Sequence, residues 1–280
     1  MDMTPIMKSI DNLASLVPKP TDNDYIAEDG LIHCYKCGGA KQCRVAFLGD
    51  ERTVPCICKC EKERIEREEK ERKDRERTTR IKAMRSAGFP ESNMQEWTFA
   101  NDDRANERVT NAMQKYVDNF AEFKEQGKGL LLYGNVGTGK TYAACEVANA
   151  LIDKGYPALV TNFARLTNTI QGMYEGKQQY IDSLNQFDLL VIDDLGVERK
   201  SEFMQEMVYN IIDSRYRAGL PLIVTTNLTI NEIKTPNDIA NSRIYDRILE
   251  RCFPVEVSGQ SRRRKAVRES YGEMKDILGL

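Results

Sequence analysis

The residues Gly134-Asn135-Val136-Gly137-Thr138-Gly139-Lys140-Thr141 fit the pattern G-x-x-x-x-G-K-[ST]. In this pattern a glycine-rich turn lets backbone N–H groups face phosphate oxygens. Lys140 can reach the β- and γ-phosphates of a nucleotide, and Thr141 offers a hydroxyl to Mg2+. The N-terminus of a following helix adds its partial positive charge. Further along, Leu189-Leu190-Val191-Ile192-Asp193-Asp194 is an apolar run that ends in two acids. Asp193 there can hold the Mg2+, and Asp194 can orient or deprotonate an attacking water. A third apolar run, Leu222-Ile223-Val224-Thr225-Thr226-Asn227, ends in an amide. Asn227, on a strand between the other two, could bond the γ-phosphate or the lytic water.

Two arginine-rich segments follow. Arg243, Arg247 and Arg251 recur at i,i+4 steps on one helical face. One of them could stabilise a transferring phosphoryl group on a neighbouring subunit. Ordinary surface charge gives the same stripe, so spacing leaves both readings open. Ser261-Arg262-Arg263-Arg264-Lys265-Ala266-Val267-Arg268 is a compact basic patch. It suits either the bound nucleotide in the same chain or nucleic-acid phosphates.

A second chemistry lies upstream. Six of the eight cysteines fall between positions 34 and 60. Cys34-Tyr35-Lys36-Cys37-Gly38-Gly39 is a C-x-x-C-G-G knuckle, and the chain returns at Cys56-Ile57-Cys58-Lys59-Cys60. Two thiolates from each side make a closed tetrahedral Zn2+ site. The second run has one cysteine too many. Cys58 and Cys60, nearer the following helix, are taken with Cys34 and Cys37. Cys56 is the alternative, and Cys43 and His33, the one histidine, rank below it. The chain has no HExxH or H-x-E sequence, so the expected role of the metal is structural.

These groups need elements to position them. Leu130, Leu131 and Leu132 lead into the glycine loop, and Ala143, Ala144, Val147, Ala148 and Leu151 follow it at helical spacing. Strands are expected over 129–133, 157–161, 187–193, 220–226 and 253–257. Helical patterns alternate with them, such as Phe203, Met207, Val208, Ile211 and Ile212. Val109, Met113, Tyr116, Val117 and Phe120 mark a helix ahead of the first strand. Apolar strands alternating with helices predict an α/β domain over 81–280, its parallel sheet covered on both faces. Residues 1–30 read as a leader with helical spacing at Ile6, Met7, Ile10, Leu13 and Leu16. Residues 31–60 read as a small metal-binding module. Of the twenty residues at 61–80, seventeen are charged with the signs interleaved, which predicts a solvated helical linker. The pairs Glu63–Arg67, Glu66–Lys70, Glu68–Arg72 and Glu71–Arg75 place the acid first.

With 30% charged and 41% apolar residues the chain is of the soluble globular class. No apolar run reaches the roughly 20 residues of a membrane span. There is no signal-peptide core, and cysteines clustered for metal suit a reducing cytoplasm. The net charge of −2 says little about partners.

Taken in order, the loop at 134–141, Asp193-Asp194-Leu195-Gly196, Thr225-Thr226-Asn227, Tyr245-Asp246-Arg247 and Gly259-Gln260-Ser261-Arg262-Arg263 carry a family likeness. They resemble the AAA+ ATPases of the DnaC/DnaI type, the bacterial and phage replicative helicase loaders. The IstB-type transposition helper ATPases share that core. The likeness covers residues 80–268. The cysteine module and charged helix look like the zinc-binding N-terminal region of such loaders, which favours loader over helper. The resemblance implies an AAA+ fold and an ATPase using ATP and Mg2+ as a slow conformational switch. It also implies a replicative helicase and single-stranded DNA as partners, and self-association through the ATP site. It assigns Asn227 to the sensor-one position, Arg247 to the arginine finger and Arg263 to the sensor-two position.

Overall fold

Leu130, Leu131 and Leu132 stand in a row, so alternate side chains of that strand face opposite ways and both faces need cover. The computed structural model describes residues 20–47, 49–196, 202–236, 238–262, 271, 274–275 and 277–278. In it the chain divides after Thr79 into two compact units.

The second unit holds five parallel strands: β5 (Gly129–Tyr133), β6 (Ala158–Asn162), β7 (Leu189–Leu195), β8 (Leu222–Thr226) and β9 (Cys252–Glu256). Their order across the sheet is β6-β7-β8-β5-β9. Leu130, Leu132, Leu189, Val191 and Ile223 face one cluster, packed with helices α2 (Glu107–Asp118) and α4 (Lys140–Asp153). Leu131, Leu190, Ile192, Leu222 and Val224 face the other, packed with α5 (Phe163–Gln171), α7 (Glu202–Arg217) and α9 (Ile239–Arg251). Shorter helices among the described residues of the unit include α3 (Phe120–Gln126), α6 (Lys177–Ser183) and α8 (Ile230–Lys234). This is the doubly covered parallel sheet of the AAA+ expectation. Val109, Met113, Tyr116 and Val117 are buried on α2, whereas Phe120, expected on the same helix, is buried at the start of α3; the expected apolar residues of α4 are all buried.

The first unit is built from two antiparallel hairpins and the start of a long helix. Strand β1 (Asp24–Ile26) pairs with β2 (Ile32–Cys34) across an Asp29-Gly30 turn, where Gly30 takes φ 75° and Asp29 accepts the Leu31 N–H. Strand β3 (Gln42–Phe47) pairs with β4 (Asp50–Pro55). The boundary expected at 30/31 falls inside the first hairpin. The apolar positions Ile6 to Leu16 lie outside the described residues. Helix α1 (Lys59–Gly88) begins before the charged run and ends after it. Its ion pairs differ from the expected set. Glu71–Arg75 is present at 4.0 Å, but Arg64 takes Glu61 at 2.6 Å and Glu68 at 2.8 Å, and Arg72 takes Glu76 at 3.1 Å. No helix among the described residues is long and apolar enough to cross a membrane.

One buried cation pins the start of the sheet. Arg215 on α7 is 1% exposed. It donates to the carbonyls of Pro221 (2.7 Å from Nη2), Phe187 (2.8 Å) and Asp188 (2.9 Å), which precede β8 and β7. Burial pulls its pKa down to about 10. Replacing Arg215 with Met removes these donors and leaves the Pro221 carbonyl only the Leu190 N–H at 3.5 Å, which should cost about 3 kcal/mol. Urea denaturation of both proteins measures the loss. A loss under about 1 kcal/mol would mean that water satisfies the carbonyls.

Candidate functional site

The glycine loop turns the end of β5 into the first turn of α4. Gly137 (φ 82°) and Gly139 (φ 101°) take left-handed conformations that a side chain would strain. A Cβ at Gly137 would also meet the Ser261 side chain. Lys140, 5% exposed, begins the helix. Its Nζ donates to the Gly134 carbonyl at 2.9 Å, the Asn135 carbonyl at 2.7 Å and Asn227 Oδ1 at 2.8 Å.

Thr141 donates its hydroxyl to Asp193 Oδ1 at 2.8 Å, and Thr225 donates to the same oxygen at 2.5 Å. Burial raises the pKa of Asp193, and the two hydroxyls oppose that shift. The β7–β8 ladder shifts register between Ile192 and Leu195. There Asp194 adopts φ 59°, rare for a residue with a side chain and costing about 1–2 kcal/mol. Its N–H donates to Thr225 Oγ1 at 3.0 Å, and its carboxylate accepts from Asn227 Nδ2 at 3.4 Å. Lys140, Thr141, Asp193, Asp194 and Asn227 therefore meet at the C-terminal ends of β5, β7 and β8. Parallel α/β sheets bind their ligands at such strand ends. Thr225 completes the group and was absent from the expected set. Its only sequence signal is a hydroxyl near the end of an otherwise apolar strand.

The arginines divide. The Arg262 N–H donates to the Gly137 carbonyl at 2.8 Å, which lays the segment after β9 against the loop. Its guanidinium lies 3.0 Å from Asp103 and 3.5 Å from Asp102. Arg263 lies outside the described residues, so the arginine seen beside the loop is Arg262. The contacts of Arg247 lie elsewhere, between α9 and α7. It donates to Asp213 at 2.8 Å and to the Tyr209 hydroxyl at 2.8 Å, and stacks over the Tyr209 ring at 4.7 Å.

In the first unit the sulfurs of Cys34, Cys37, Cys58 and Cys60 lie within 4.8 Å of one another. Cys60 Sγ is 3.5 Å from the sulfurs of both Cys34 and Cys58. A tetrahedron of thiolates around one metal at about 2.3 Å has edges of roughly 3.8 Å, so the spacing suits a single ion. The N–H groups of Cys37 and Lys36 point at the Cys34 sulfur and lower its pKa. Those of Cys60 and Gly39 lower that of Cys37 to about 6. The sulfurs of Cys58, Cys34 and Cys37 crowd Cys60 and push it up to about 12. Four such thiols resist ionising together unless a cation joins them. Cys56 is turned elsewhere and donates to the Ala40 carbonyl at 3.3 Å. His33 Nε2 lies 3.1 Å from Asp29, and Nδ1 lies 3.0 Å from the Gly38 carbonyl.

Residues 59–270 match the family described as IstB-like ATP binding protein. The replicative helicase loader DnaI of Bacillus subtilis (strain 168) is 27% identical over 169 residues, 54% of this chain and 54% of that protein. A protein of Sinorhizobium fredii (strain NBRC 101917 / NGR234), named for an insertion-sequence ATP-binding function, is 27% identical over 152 residues, 52% of this chain and 50% of that one. The chain spans about half the length of these relatives. Among solved structures, a crystal structure of DnaI has a similar fold. Its TM-score is 0.53 at 23% identity, over 64% of this chain and 98% of that one.

Sequence reading also missed an acid near the loop. Glu146 on α4 is 2% exposed, and Oε1 has no hydrogen-bond partner among the described residues. Burial first, then the charge of Asp102, raises its pKa from 4.5 to about 8. The fold therefore favours the protonated form. That contribution to stability is complete below pH 4.5 and is lost as pH rises through 8. The advantage of Glu146→Gln over the parent protein should accordingly widen between pH 5 and 8 and level off above that. Thermal melts across this range read the effect, and a constant difference would rule it out.

Proposed function

The chain belongs to the family of IstB-like ATP-binding proteins, and from that premise we propose that it is an ATPase that loads a replicative DNA helicase onto single-stranded DNA in the cytoplasm. The observation that carries this reading is the pairing of two assemblies. One is the Lys140–Asn227 and Thr141–Asp193 contacts at the strand ends. The other is a four-cysteine cluster placed ahead of the ATPase core. The resemblance of that cluster to the N-terminal region of loaders favours loading over transposition.

Lys140 exchanges the loop carbonyls for the β- and γ-phosphates when the nucleotide enters. Thr141 and Asp193 present oxygens to Mg2+, and a bound Mg2+ would neutralise charge on the phosphates. Asp194, steadied by Asn227, takes the proton of the attacking water or orients that water. Arg247 acts on the ATP of a neighbouring copy, which makes the site one shared between subunits. Arg262, and Arg263 beside it, serve the phosphates within the same chain. Hydrolysis switches the affinity for DNA and helicase rather than processing a metabolite. Zn2+, held by Cys34, Cys37, Cys58 and Cys60, would fix a module too small to hold together by burial alone.

A second reading, a transposition helper, draws on the Sinorhizobium relative. Co-purification of the full chain with candidate replicative helicases, with and without ATP, separates the two. A loader should be retained in defined stoichiometry with the helicase. Retention by a transposase and by no helicase would favour the helper. Lys140→Ala should lower ATP hydrolysis by on the order of 100-fold. Unchanged hydrolysis would exclude this site as the ATPase centre.

The metal set has its own test. Purified protein should contain one equivalent of zinc by elemental analysis. Ser at Cys34, Cys37, Cys58 or Cys60 should abolish it, and Cys56→Ser should keep it. Full zinc in the Cys60→Ser protein with loss in Cys56→Ser would reverse the ligand choice.

A further inference from the structure

The steps above use no group deeper than the phosphates, yet the fold keeps a carboxyl group there. Glu146 lines a cleft with Thr138 and Gly139 of the loop, Tyr142 and Ala143 of α4, Val109 of α2, and Val257 after β9. Side chains of Val109, Ala143 and Val257 make aliphatic walls between the polar side chains of Asp102, Asn106, Thr110, Thr138 and Arg262, and Oε1 of Glu146 is a buried acceptor with no partner among the described residues. A flat heteroaromatic ring carrying an N–H group suits such a slot. As it stands the cleft has about 10 Å³ of free space, and Arg262, which also lines it, is drawn to Asp102 and Asp103.

Building on the ATP-site reading, we infer that Glu146 reads the base of the bound nucleotide. It accepts the exocyclic amino group of adenine on Oε1 and donates its own proton to the adjacent ring nitrogen. Arg262 leaves the two aspartates for phosphate as the nucleotide enters, and its departure widens the slot.

The selectivity follows from counting donors. A neutral carboxyl group offers one donor and one acceptor side by side. The amino edge of adenine offers N6–H and N7, one of each. The same edge of guanine offers two acceptors, O6 and N7. Guanine would therefore set an acceptor against Glu146 Oε1 and leave it unpaired. Burial keeps the proton on Glu146 up to about pH 8. Asp102 and Asp103 help to hold that proton, and Arg262 opposes them. Tyr142 and Cys145 beside it on α4 have raised pKa values and stay neutral. When Arg262 moves to the phosphates the opposing charge weakens, so binding tightens the hold on the proton.

The test is competition between ATP and GTP for the full-length protein, read with a fluorescent ATP analogue at pH 6.5 and pH 9. The parent protein should prefer ATP by about tenfold or more at pH 6.5, the worth of one well-placed hydrogen bond, and by less at pH 9. Glu146→Gln keeps a donor and an acceptor but cannot ionise, so its preference should hold at both pH values. Glu146→Leu should bring the preference close to unity while GTP affinity is kept. An unchanged ATP:GTP ratio in Glu146→Leu would overturn the inference. So would a pH response in Glu146→Gln equal to that of the parent. Gln is nearly isosteric, so that arm stays readable even if the Leu variant unfolds. Lys140→Ala is the control on the underlying reading. If it binds both nucleotides as the parent does, the phosphate site itself is misassigned, whatever the ratio at Glu146.

Discussion

A buried ammonium group persists only where acceptors surround it, and that demand on Lys140 organises the second unit. Two acceptors are local, the Gly134 and Asn135 carbonyls of its own loop. The third, Asn227 Oδ1, is 87 residues away in sequence. For Asn227 to reach Lys140, β8 must lie directly beside β5, and it does. The other edge of β8 then receives β7. That pairing sets Asp193 against Thr225 and within reach of Thr141. The strand order is thus the order that gathers one buried cation and one half-buried carboxyl group at the same end of the sheet.

Much of this was legible in the sequence, because apolar runs that end in polar residues announce buried parallel strands. The ends were less legible. The third strand was expected to stop at Asp193, where charge begins. It continues through Leu195 because side chains take over from the ladder: Thr225 receives the Asp194 N–H, and Thr226 donates to the Leu195 carbonyl. Such capping comes from another strand and leaves no mark in the local pattern. The partners of Arg262 and the position of Glu146 were hidden for the same reason. The charged helix shows a different limit. Its exposed ion pairs are weak and nearly interchangeable in water, so spacing predicts that pairs form but not which ones.

The cysteine module shows how far a spacing rule reaches and where geometry takes over. Five cysteines satisfied the spacing, and four could converge. The Cys56 N–H donates to the Lys41 carbonyl at 2.8 Å, which continues the β3–β4 hairpin past Pro55 and fixes Cys56 there. The chain is released only after it. Cys58 accepts the Lys62 N–H as helix α1 starts, so Cys58 and Cys60 are presented by a helix end instead of a strand. On the facing side, Gly38 takes φ 66° and donates its N–H to the Cys34 carbonyl at 2.8 Å, which folds the first knuckle. Backbone hydrogen bonds thus select the donor set before any ion is considered.

Arg247 raises the question of how a group so fully engaged can serve a neighbouring subunit, as the proposed function requires. Its Nε and one terminal nitrogen are bonded to Asp213 and Tyr209, and the other donates to the Arg243 carbonyl at 3.2 Å. Pulling an arginine from a half-buried carboxylate ordinarily strands the acid, at a cost of several kcal/mol. Asp213, however, has a second cation: Arg217 Nε lies 3.0 Å from its other oxygen. If Arg247 departs, Asp213 stays paired. The exchange then costs one charge-assisted hydrogen bond and one stacking contact, each about 1–3 kcal/mol. A multiply charged phosphate group on the partner side can offset that sum through bidentate contacts. Under the proposed role for Arg247, the resting network would set a threshold for an occupied neighbouring site to overcome, and α7, which carries Asp213 and follows the strand of Asp193, is the element that joins the two places in one chain.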